Sequence, residues 1–442
     1  MTMIATKPLS QYFSRAEVET LSASDPAWLK AKRLAGWEAW EKGIADNAAL
    51  STHSGARWLG EVKTAPNWAI ETGEAVSLPE RFKPNLSDGD WGTLSGCRSY
   101  TLDSESELPL SAEAAKAGVI FCSLKSALKT HEALLEKHLF SRTTVDETSY
   151  AGLNAAYFGQ GTFLYVPKGV KLVLPLRSFG VHSGGKAGFF PRSLVLLEES
   201  SEATFIDEWH SATDSAGFCA AVSELVVGPG AKLSYISHQG LNLASGAVAR
   251  QTTVLGRDAY LYTLGIVTGA AWSTSYLGSR LEGAGAQVDL LGLLLGQGKQ
   301  KIEIRTLQDH VGRAGHSDAL VKAILRDEAH SYFDGVVRIF KSGQNSNAFQ
   351  SNPNLLLSSE ARAESVPTLE IEADDVACKH AASIGSIYEE EKFYLLSRGI
   401  SEKDTESMIV EGFAAELASR LPTVALQERF SAILNSLASP RA

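Results

Sequence analysis

The sequence predicts a mainly β protein, a β-solenoid core flanked by N-terminal and C-terminal α-helical regions. Between about residues 155 and 375, helical periodicity disappears, and short apolar runs rich in Val, Leu, Ile and Tyr alternate with small polar turns. On both sides of this stretch, apolar residues recur at the three- and four-residue spacings of amphipathic helices. We therefore divide the chain into a mainly helical region at 1–150, a β core at 151–385 and a helical region at 386–442.

The core contains an internal repeat, in which a tight polar turn is followed by an alanine. The sequence positions of successive alanines differ by 28, 28, 27, 43 and 32, and the longest interval contains an additional turn at 296–300 that we expect to be hairpin-like. A coil that cannot bury its own apolar face must stack on the next coil, and repeated stacking of this kind forms a solenoid. A β-sandwich with coincidental spacing is the alternative, but sandwich strands would alternate more regularly. The alanines are Ala203, Ala231, Ala259, Ala286, Ala329 and Ala361.

Apolar spacing marks the first helix of the N-terminal region. The segment 27–43 is predicted to be an amphipathic helix, because its apolar residues lie at three- and four-residue spacings: Trp28, Leu29, Leu34, Trp37 and Trp40. A second segment, 111–140, combines a short strand-like apolar run with another helical pattern, and a Gly-, Pro- and Ser-rich connection separates the two. We expect these helices to pack on the neighbouring core.

Capping residues define the helices of the C-terminal region. A helix over 389–398 is predicted to end before Gly399, because glycine suits the left-handed residue that often follows a helix. Ser401 is placed to cap a second helix, which Pro422 ends, and a last helix follows. The second helix has an apolar stripe, and such a stripe is more often part of a hydrophobic core than a binding surface. Helices appended to a solenoid must nevertheless either cap the solenoid or bind a partner. The stripe consists of Met408, Ile409, Phe413 and Leu417.

Composition excludes several classes of protein. The 442 residues are 44% hydrophobic and 21% charged, which is typical of a globular protein. The formal net charge of -10 and the lack of a basic stripe argue against nucleic-acid binding. We predict no membrane span, because no apolar run approaches about 18 residues, and no signal peptide, because the N-terminus has no apolar segment of the required kind. Four widely separated cysteines indicate neither a disulfide framework nor a self-contained metal knuckle, and favour a reducing cytoplasm.

The segment GVHSGGK at 180–186 matches part of a phosphate-binding loop, G-x-x-x-x-G-K. Ala187 follows where a Ser or Thr would hold Mg²⁺, and no clear helix follows to present its N–H groups to phosphate. We interpret the segment as a glycine-rich turn and do not expect this chain to hydrolyse ATP itself.

Two histidines with neighbouring carboxylates form a second candidate metal site. His310 and His316 lie close in sequence to Asp309 and Asp318. The spacing of six between the histidines fits neither one helix face nor one strand face. Turn residues or hydrogen-bonded histidines are therefore the favoured interpretation.

The adjacent carboxylates Asp374 and Asp375 could suggest acid–base chemistry. Neighbours on a strand point to opposite faces and cannot both reach one bond. We interpret the pair as a solvated strand end.

Cys378 and His380 form the candidate site that we favour most. On an extended strand, residues two apart place their side chains on the same face. Thiolate and imidazole are both competent ligands for iron or zinc. Two ligands are too few to hold a cluster or a tetrahedral metal, so the others must come from elsewhere, plausibly from another chain. The alternative is a buried cysteine beside a hydrogen-bonded histidine.

Several segments together carry a resemblance to a known family. The segment FLYVPKGVKLVLPL at 163–176 is similar to the strand–turn signature at the entry to the core of the SufB/SufD family of iron–sulfur cluster assembly scaffolds. Segments 192–209, 346–385 and 389–401 are similar to the C-terminal half of that family. With the repeats between them, the matching segments cover most of residues 155–410.

The segment C-K-H-A-A that begins at Cys378 resembles the SufD branch of the family, whose pattern is close to C-S-H-G-A. Lys379 and Ala381 stand where that pattern has Ser and Gly, and the two ligand types are kept.

The resemblance implies a right-handed parallel β-helix that acts as a scaffold and is not an enzyme. It implies a heterodimer with SufB in which each chain holds one SufC ATPase subunit. The nascent cluster would lie at the subunit interface, with His380 as this chain's ligand and Cys378 as a second candidate, and would pass to acceptor proteins. The helices around 389–420 would be the docking surface for SufC. The candidate contacts there are Phe393, Tyr394, Met408 and Phe413.

The resemblance also defines the expected cofactors and partners. The cofactor is a transient iron–sulfur cluster shared with the partner chain, and ATP enters only through SufC. Reduced flavin has been associated with the complex, although no motif in this sequence supports it. The isolated chain could also form a homodimer. Two rival functions are a structural SufB-like homo-oligomer without a metal role, and a carbohydrate-active β-helix enzyme. The enzyme is disfavoured because carboxylates do not group on one face of the predicted strands.

Overall fold

Two mainly parallel β-sheets form a solenoid with helices at both ends of the chain. The computed structural model describes residues 13–45, 94–101, 104–182, 188–214, 216–387 and 389–438. The chain alternates between the sheets, so each regular coil contributes one strand to sheet A and one to sheet B. The predicted β-solenoid between two helical regions is thereby confirmed.

The strands are numbered in chain order. Sheet A contains β1 Gly96–Tyr100, β2 Glu105–Leu108, β5 Leu176–His182, β8 Glu202–Ser211, β10 Lys232–Gly240, β12 Tyr260–Val267, β14 Gln287–Gly296, β16 His316–Leu325, β18 Asn347–Leu356 and β20 Ala377–Ser386. Sheet B contains β3 Ile120–Ser123, β4 Gly161–Val166, β6 Gly188–Phe189, β7 Arg192–Leu197, β9 Phe218–Val227, β11 Gly246–Leu255, β13 Trp272–Leu281, β15 Lys301–His310, β17 His330–Ile339 and β19 Arg362–Ile371.

The corners of the solenoid explain the alanine repeat. Lys232 pairs with Tyr260 in the next coil and Tyr260 with Gln287, so the sequence position advances by 28 and then by 27 in one coil. Before these strands the chain turns through a left-handed residue, such as Gly230 (φ 64°) or Asp258 (φ 55°), which glycine and aspartate tolerate better than most residues. The next residue is buried where neighbouring coils stack, so it must be small. The corner residues of this class in sheet A are Ser201, Ala231, Ala259, Ala286, Gly315 and Ser346.

The aligned alanines do not all mark the same corner of the coil. Ala329 and Ala361 precede strands of sheet B, whereas the three aligned alanines before them precede strands of sheet A. The long interval that ends at Ala329 is therefore one and a half coils. The turn at 296–300 joins β14 to β15 in opposite sheets, so the prediction of a hairpin there is wrong. Ala203 lies inside β8, two positions beyond the true corner residue Ser201.

The N-terminal helices cover the outer face of sheet B. The predicted helix over 27–43 is confirmed, and the segment 111–140 forms β3 between short helices. Trp37 and Trp40 pack in one buried cluster with Phe163, Leu194 and Phe218 of the sheet. Strands β1 and β3 already extend the two sheets before residue 150, and most of the connection between the helical segments lies outside the described residues. The helices are α1 Arg15–Leu21, α2 Ala27–Ala45, α3 Ala112–Lys116, α4 Leu124–Thr130, α5 Glu132–His138 and α6 Ser149–Tyr157.

The C-terminal helices are α7 Glu389–Ser397, α8 Glu402–Ser419 and α9 Val424–Ala438. Gly399 has φ 84° after α7, and the Ser401 hydroxyl accepts the amide of Asp404 at the start of α8, as the sequence predicted. Both α8 and α9 pack on the outer face of sheet A, where Leu417 and Phe430 are buried in one cluster with sheet residues. Among the described helices, none is long and apolar enough to cross a membrane.

Candidate functional site

Cys378 and His380 lie on β20, the last strand of sheet A. β20 pairs with β18 on one side, and the other side carries no strand in the described part of the chain. Cys378 is in register with Ala348 and His380 with Gln350, whose side chains are buried inside the solenoid. Both candidate ligands therefore lie on the same, inward-directed face of the strand, at the end of the coil stack. His380 is exposed and Cys378 is half-buried.

The environment of Cys378 favours the thiol form of its side chain. Partial burial raises the pKa of the Cys378 thiol, and its hydrogen bond with the backbone of Ala348 lowers it by less. A raised thiol pKa makes metal binding depend on pH, because the thiolate is the species that ligates. The exposed imidazole of His380 is the more accessible ligand of the two.

The coil beneath these residues has a polar interior. Both side-chain polar atoms of Gln350, which lies next to His380, are buried without a hydrogen-bond partner. By contrast, Asn352 donates to the carbonyl of Val321 at 2.8 Å, and Asn354 donates to that of Ser383 at 3.1 Å. An unsatisfied buried amide costs roughly 1–3 kcal/mol.

The candidate docking residues differ in exposure. Phe393, Tyr394 and Met408 are 72%, 57% and 49% exposed. Phe413 is half-buried, and its carbonyl accepts a hydrogen bond from Lys322 of sheet A at 2.9 Å. The structure thus leaves three of the four side chains on the surface and packs the fourth against the solenoid.

The other sequence candidates are structural residues. His310 is buried and hydrogen-bonded to the hydroxyl of Ser317 at 2.7 Å, while Asp309 pairs with Arg280 at 3.2 Å and Asp318 with Arg420 at 2.7 Å. The interpretation as a hydrogen-bonded histidine therefore agrees with the geometry of His310, while His316 is half-buried at the start of β16.

The two remaining motifs are at turns or outside the described structure. Asp374 and Asp375 are exposed in the corner between β19 and β20, which agrees with a solvated strand end. Gly180 lies in the buried strand β5, and residues 183–187, which include most of the GVHSGGK motif, lie outside the described residues.

Sequence reasoning missed a group of ionisable residues in strands β8 and β10. Asp207 points into the solenoid, and Glu208, His210 and His238 lie together on the outer face of sheet A. The register pairs Glu208 with His238 on the next coil, 30 positions further along the chain, whereas the alanine spacing of 28 would have placed Glu208 beside Ile236.

Asp207 makes the stability of the fold depend on pH. One of its carboxylate oxygens accepts hydrogen bonds from Ser193 at 2.7 Å and Tyr235 at 3.2 Å, and the other is buried without a partner. Burial raises the pKa of Asp207 to about 7.

We expect Asp207 to contribute a loss of stability as the pH rises from about 4 to about 7, because the folded state must ionise a buried carboxyl. The loss attributable to Asp207 is about 3–4 kcal/mol, and Asp207→Asn should remove it. Urea denaturation of both proteins at pH values of about 4.5 and 8 measures the effect. An equal pH dependence in both would show that Asp207 is not its source.

Fold and site together define a class of protein: a parallel β-solenoid whose last strand presents a thiol and an imidazole on one face, and whose appended helices expose apolar side chains. The comparisons with known proteins agree with this class. The model described as SUF system FeS cluster assembly, SufBD core domain, matches residues 180–413, and the SufBD protein N-terminal region matches residues 103–177. The chain belongs to the SufBD family of iron–sulfur cluster assembly proteins.

Individual relatives support the same conclusion. The iron–sulfur cluster assembly protein SufD of Bacillus subtilis is 30% identical over 93% of this chain and 94% of its own length. SufB of the same organism is 26% identical over 69% of this chain and 66% of its own length. A SufBD family protein of Synechocystis is 28% identical over 70% of this chain and 66% of its own length. This chain is therefore a SufD homologue.

Proposed function

We propose that this chain is a non-enzymatic scaffold subunit that pairs with a SufB homologue and with a SufC-type ATPase in the cytoplasm. A nascent iron–sulfur cluster is built at the interface between this chain and its SufB-like partner and then passes to acceptor proteins. ATP acts only through the ATPase subunit. The observation that supports this proposal best is the pair Cys378 and His380 on one face of the strand that ends the coil stack.

The chemistry of the pair requires a partner chain. An iron–sulfur cluster needs about four protein ligands, and β20 offers two. The polar interior around Gln350 and the edge of β20, which no strand covers in the described part of the chain, are features of a surface that becomes covered in a complex. A structural homo-oligomer without a metal role would also cover this edge, but it would leave the thiol and the imidazole without a chemical task.

Docking of the ATPase is proposed at the exposed side chains of α7 and α8. Phe393 and Tyr394 together present a large aromatic surface to solvent, and aromatic anchors of this kind dominate protein–protein binding energy. The ATPase could thereby transmit its conformational change through α8 to sheet A, on which α8 packs.

We expect the double substitution Phe393→Asp and Tyr394→Asp to weaken binding of a purified SufC homologue by at least about tenfold, because each aromatic anchor contributes on the order of 1–2 kcal/mol. Both side chains are exposed, so the thermal midpoint of unfolding should stay the same. Isothermal titration calorimetry measures the affinity.

A matched control is Val173→Asp, since Val173 is 89% exposed and lies on the loop between β4 and β5. This substitution also replaces an exposed apolar side chain with aspartate, but it does so away from α7 and α8. The variant should therefore bind the ATPase with wild-type affinity. Equal affinity of all three proteins for the ATPase would contradict docking at α7.

A further inference from the structure

Three potential metal ligands converge on the outer face of sheet A. Glu208 and His210 lie two residues apart on the same face of β8, and His238 is the neighbour of Glu208 on β10. Oε1 of Glu208 lies 3.4 Å from Nε2 of His210 and 3.5 Å from Nδ1 of His238. All three ligand atoms lie within 4.8 Å of one another.

Thr268 supports the imidazole of His238 from its second nitrogen. Nε2 lies 2.9 Å from Oγ1 of Thr268, and that hydroxyl lies 3.3 Å from the carbonyl of Gln239. In the tautomer that binds a metal through Nδ1, the imidazole donates from Nε2 to the Thr268 oxygen while the hydroxyl donates to Gln239. A hydrogen bond from the second ring nitrogen is also the usual support of a metal-ligating histidine.

Nδ1 of His238 and a carboxylate oxygen of Glu208 form a close pair of buried donor atoms. Nδ1 has no hydrogen-bond partner and lies 3.5 Å from that oxygen. His238 is 5% exposed, so water has little access to Nδ1. The nitrogen and the oxygen together offer two ligand atoms to one cation.

An ion pair orients the carboxylate of Glu208. The side chain is fully buried and lies beside that of Arg177. Arg177 donates to Oε2 at 2.7 Å, which orients the group and leaves Oε1 directed at the histidines. Two nitrogens and one oxygen suit a borderline transition metal better than Ca²⁺ or Mg²⁺, which prefer oxygen ligands.

We propose that Glu208, His210 and His238 form a binding site for one divalent transition-metal ion of the Zn²⁺ or Fe²⁺ class. Metal–ligand bonds of about 2.0–2.2 Å place tetrahedral ligand atoms about 3.3–3.6 Å apart, which brackets the two measured separations. The side chain of His210 is 16% exposed and opens the fourth position to solvent. Gly240 leaves room for the imidazole of His210, since a Cβ there would lie 2.7 Å from Nδ1 of that ring.

This site is separate from the proposed cluster ligands. Five strand spacings of sheet A separate β10 from β20, a distance of about 24 Å. Its metal therefore does not belong to the cluster interface, and its existence does not depend on the scaffold function.

The test uses the full chain with Cys378→Ser and His380→Ala as the parent, so that metal bound at β20 does not contribute. Zn²⁺ binding is measured by equilibrium dialysis and Fe²⁺ binding is measured anaerobically, each with and without His210→Ala or His238→Gln. His316→Ala, which removes a half-buried histidine of β16, is the matched control. Co²⁺ replaces Zn²⁺ for visible spectroscopy, because its ligand-field bands report a tetrahedral nitrogen and oxygen environment.

We expect one metal per chain in the parent and in the His316→Ala control. Each ligand variant should bind more than about 100-fold more weakly, since even the loss of an outer-shell partner costs about 10–100-fold. The thermal midpoint should rise with Zn²⁺ in the parent and stay constant in His210→Ala. Unchanged affinity in His210→Ala, or a parent without tetrahedral Co²⁺ bands, would overturn the proposal. If His238→Gln fails to fold, the partly exposed His210 and the Co²⁺ spectrum still decide it.

Discussion

His380→Ala is expected to remove most of the iron and acid-labile sulfide from a complex purified anaerobically with SufB and SufC homologues. The side chain is exposed on β20, so its loss should leave the fold and the subunit ratio intact. Removing a direct metal ligand weakens a metal site by more than about 10–100-fold, the loss associated with an outer-shell partner. Iron and sulfide analysis of wild-type and variant complexes measures the effect.

Two further variants sharpen this result. Lys379→Ala alters an exposed neighbour that points to the opposite face of the strand, and it should retain a normal metal content. Cys378→Ser tests the thiolate separately from the imidazole. Unchanged iron in His380→Ala would make His380 structural and place the cluster elsewhere. Failure of the wild-type chain to co-purify with either partner would instead count against the scaffold proposal itself.

Glu224→Ala is expected to lower the free energy of unfolding by about 3–5 kcal/mol, because it breaks a fully buried ion pair. Glu224 and Arg192 are both inaccessible to solvent and lie 2.6 Å apart. The same carboxylate accepts the backbone amides of Phe140 at 2.9 Å, Arg142 at 2.8 Å and Thr143 at 3.2 Å. Glu224 therefore fastens the segment after α5 to β9, and its removal leaves one buried guanidinium and three amides without their acceptor. Urea denaturation followed by circular dichroism measures the change.

A surface ion pair provides the matched control. Lys168 and Glu199 lie 2.6 Å apart, with side chains 69% and 50% exposed. Glu199→Gln should change stability by less than about 1 kcal/mol, because solvent screens the pair. Replacing both buried partners, with Arg192→Met and Glu224→Leu, should recover part of the loss relative to Glu224→Ala. Equal effects of Glu224→Ala and Glu199→Gln would show that the buried pair is not a main anchor of the N-terminal region.

The placement of Cys378 and His380 on one face could be predicted from the sequence, because it depends only on local strand geometry. Residues two apart on a strand share a face, so Cys378 and His380 were placed together before their strand was known. The exposure of the candidate docking residues could not be predicted in the same way. Phe393 and Phe413 belong to similar amphipathic patterns, yet α8 turns Phe413 towards Lys322 while Phe393 remains in solvent. Which face of a helix is buried depends on the sheet against which it packs.

The sequence by itself determined the solenoid, its coil length and the helices at both ends, because corner residues and helix caps act through their own backbone. Ala231 and Ala259 mark corners wherever they occur, since stacked coils leave room for little more than a methyl group. The sequence could not determine whether a given corner precedes a strand of sheet A or of sheet B, because a small buried residue is required at the corners before both sheets. Nor could it join Arg192 to Glu224 or Glu208 to His238, because the members of each pair lie on successive coils. Those contacts depend on strand register, and only the stacking of whole coils determines register.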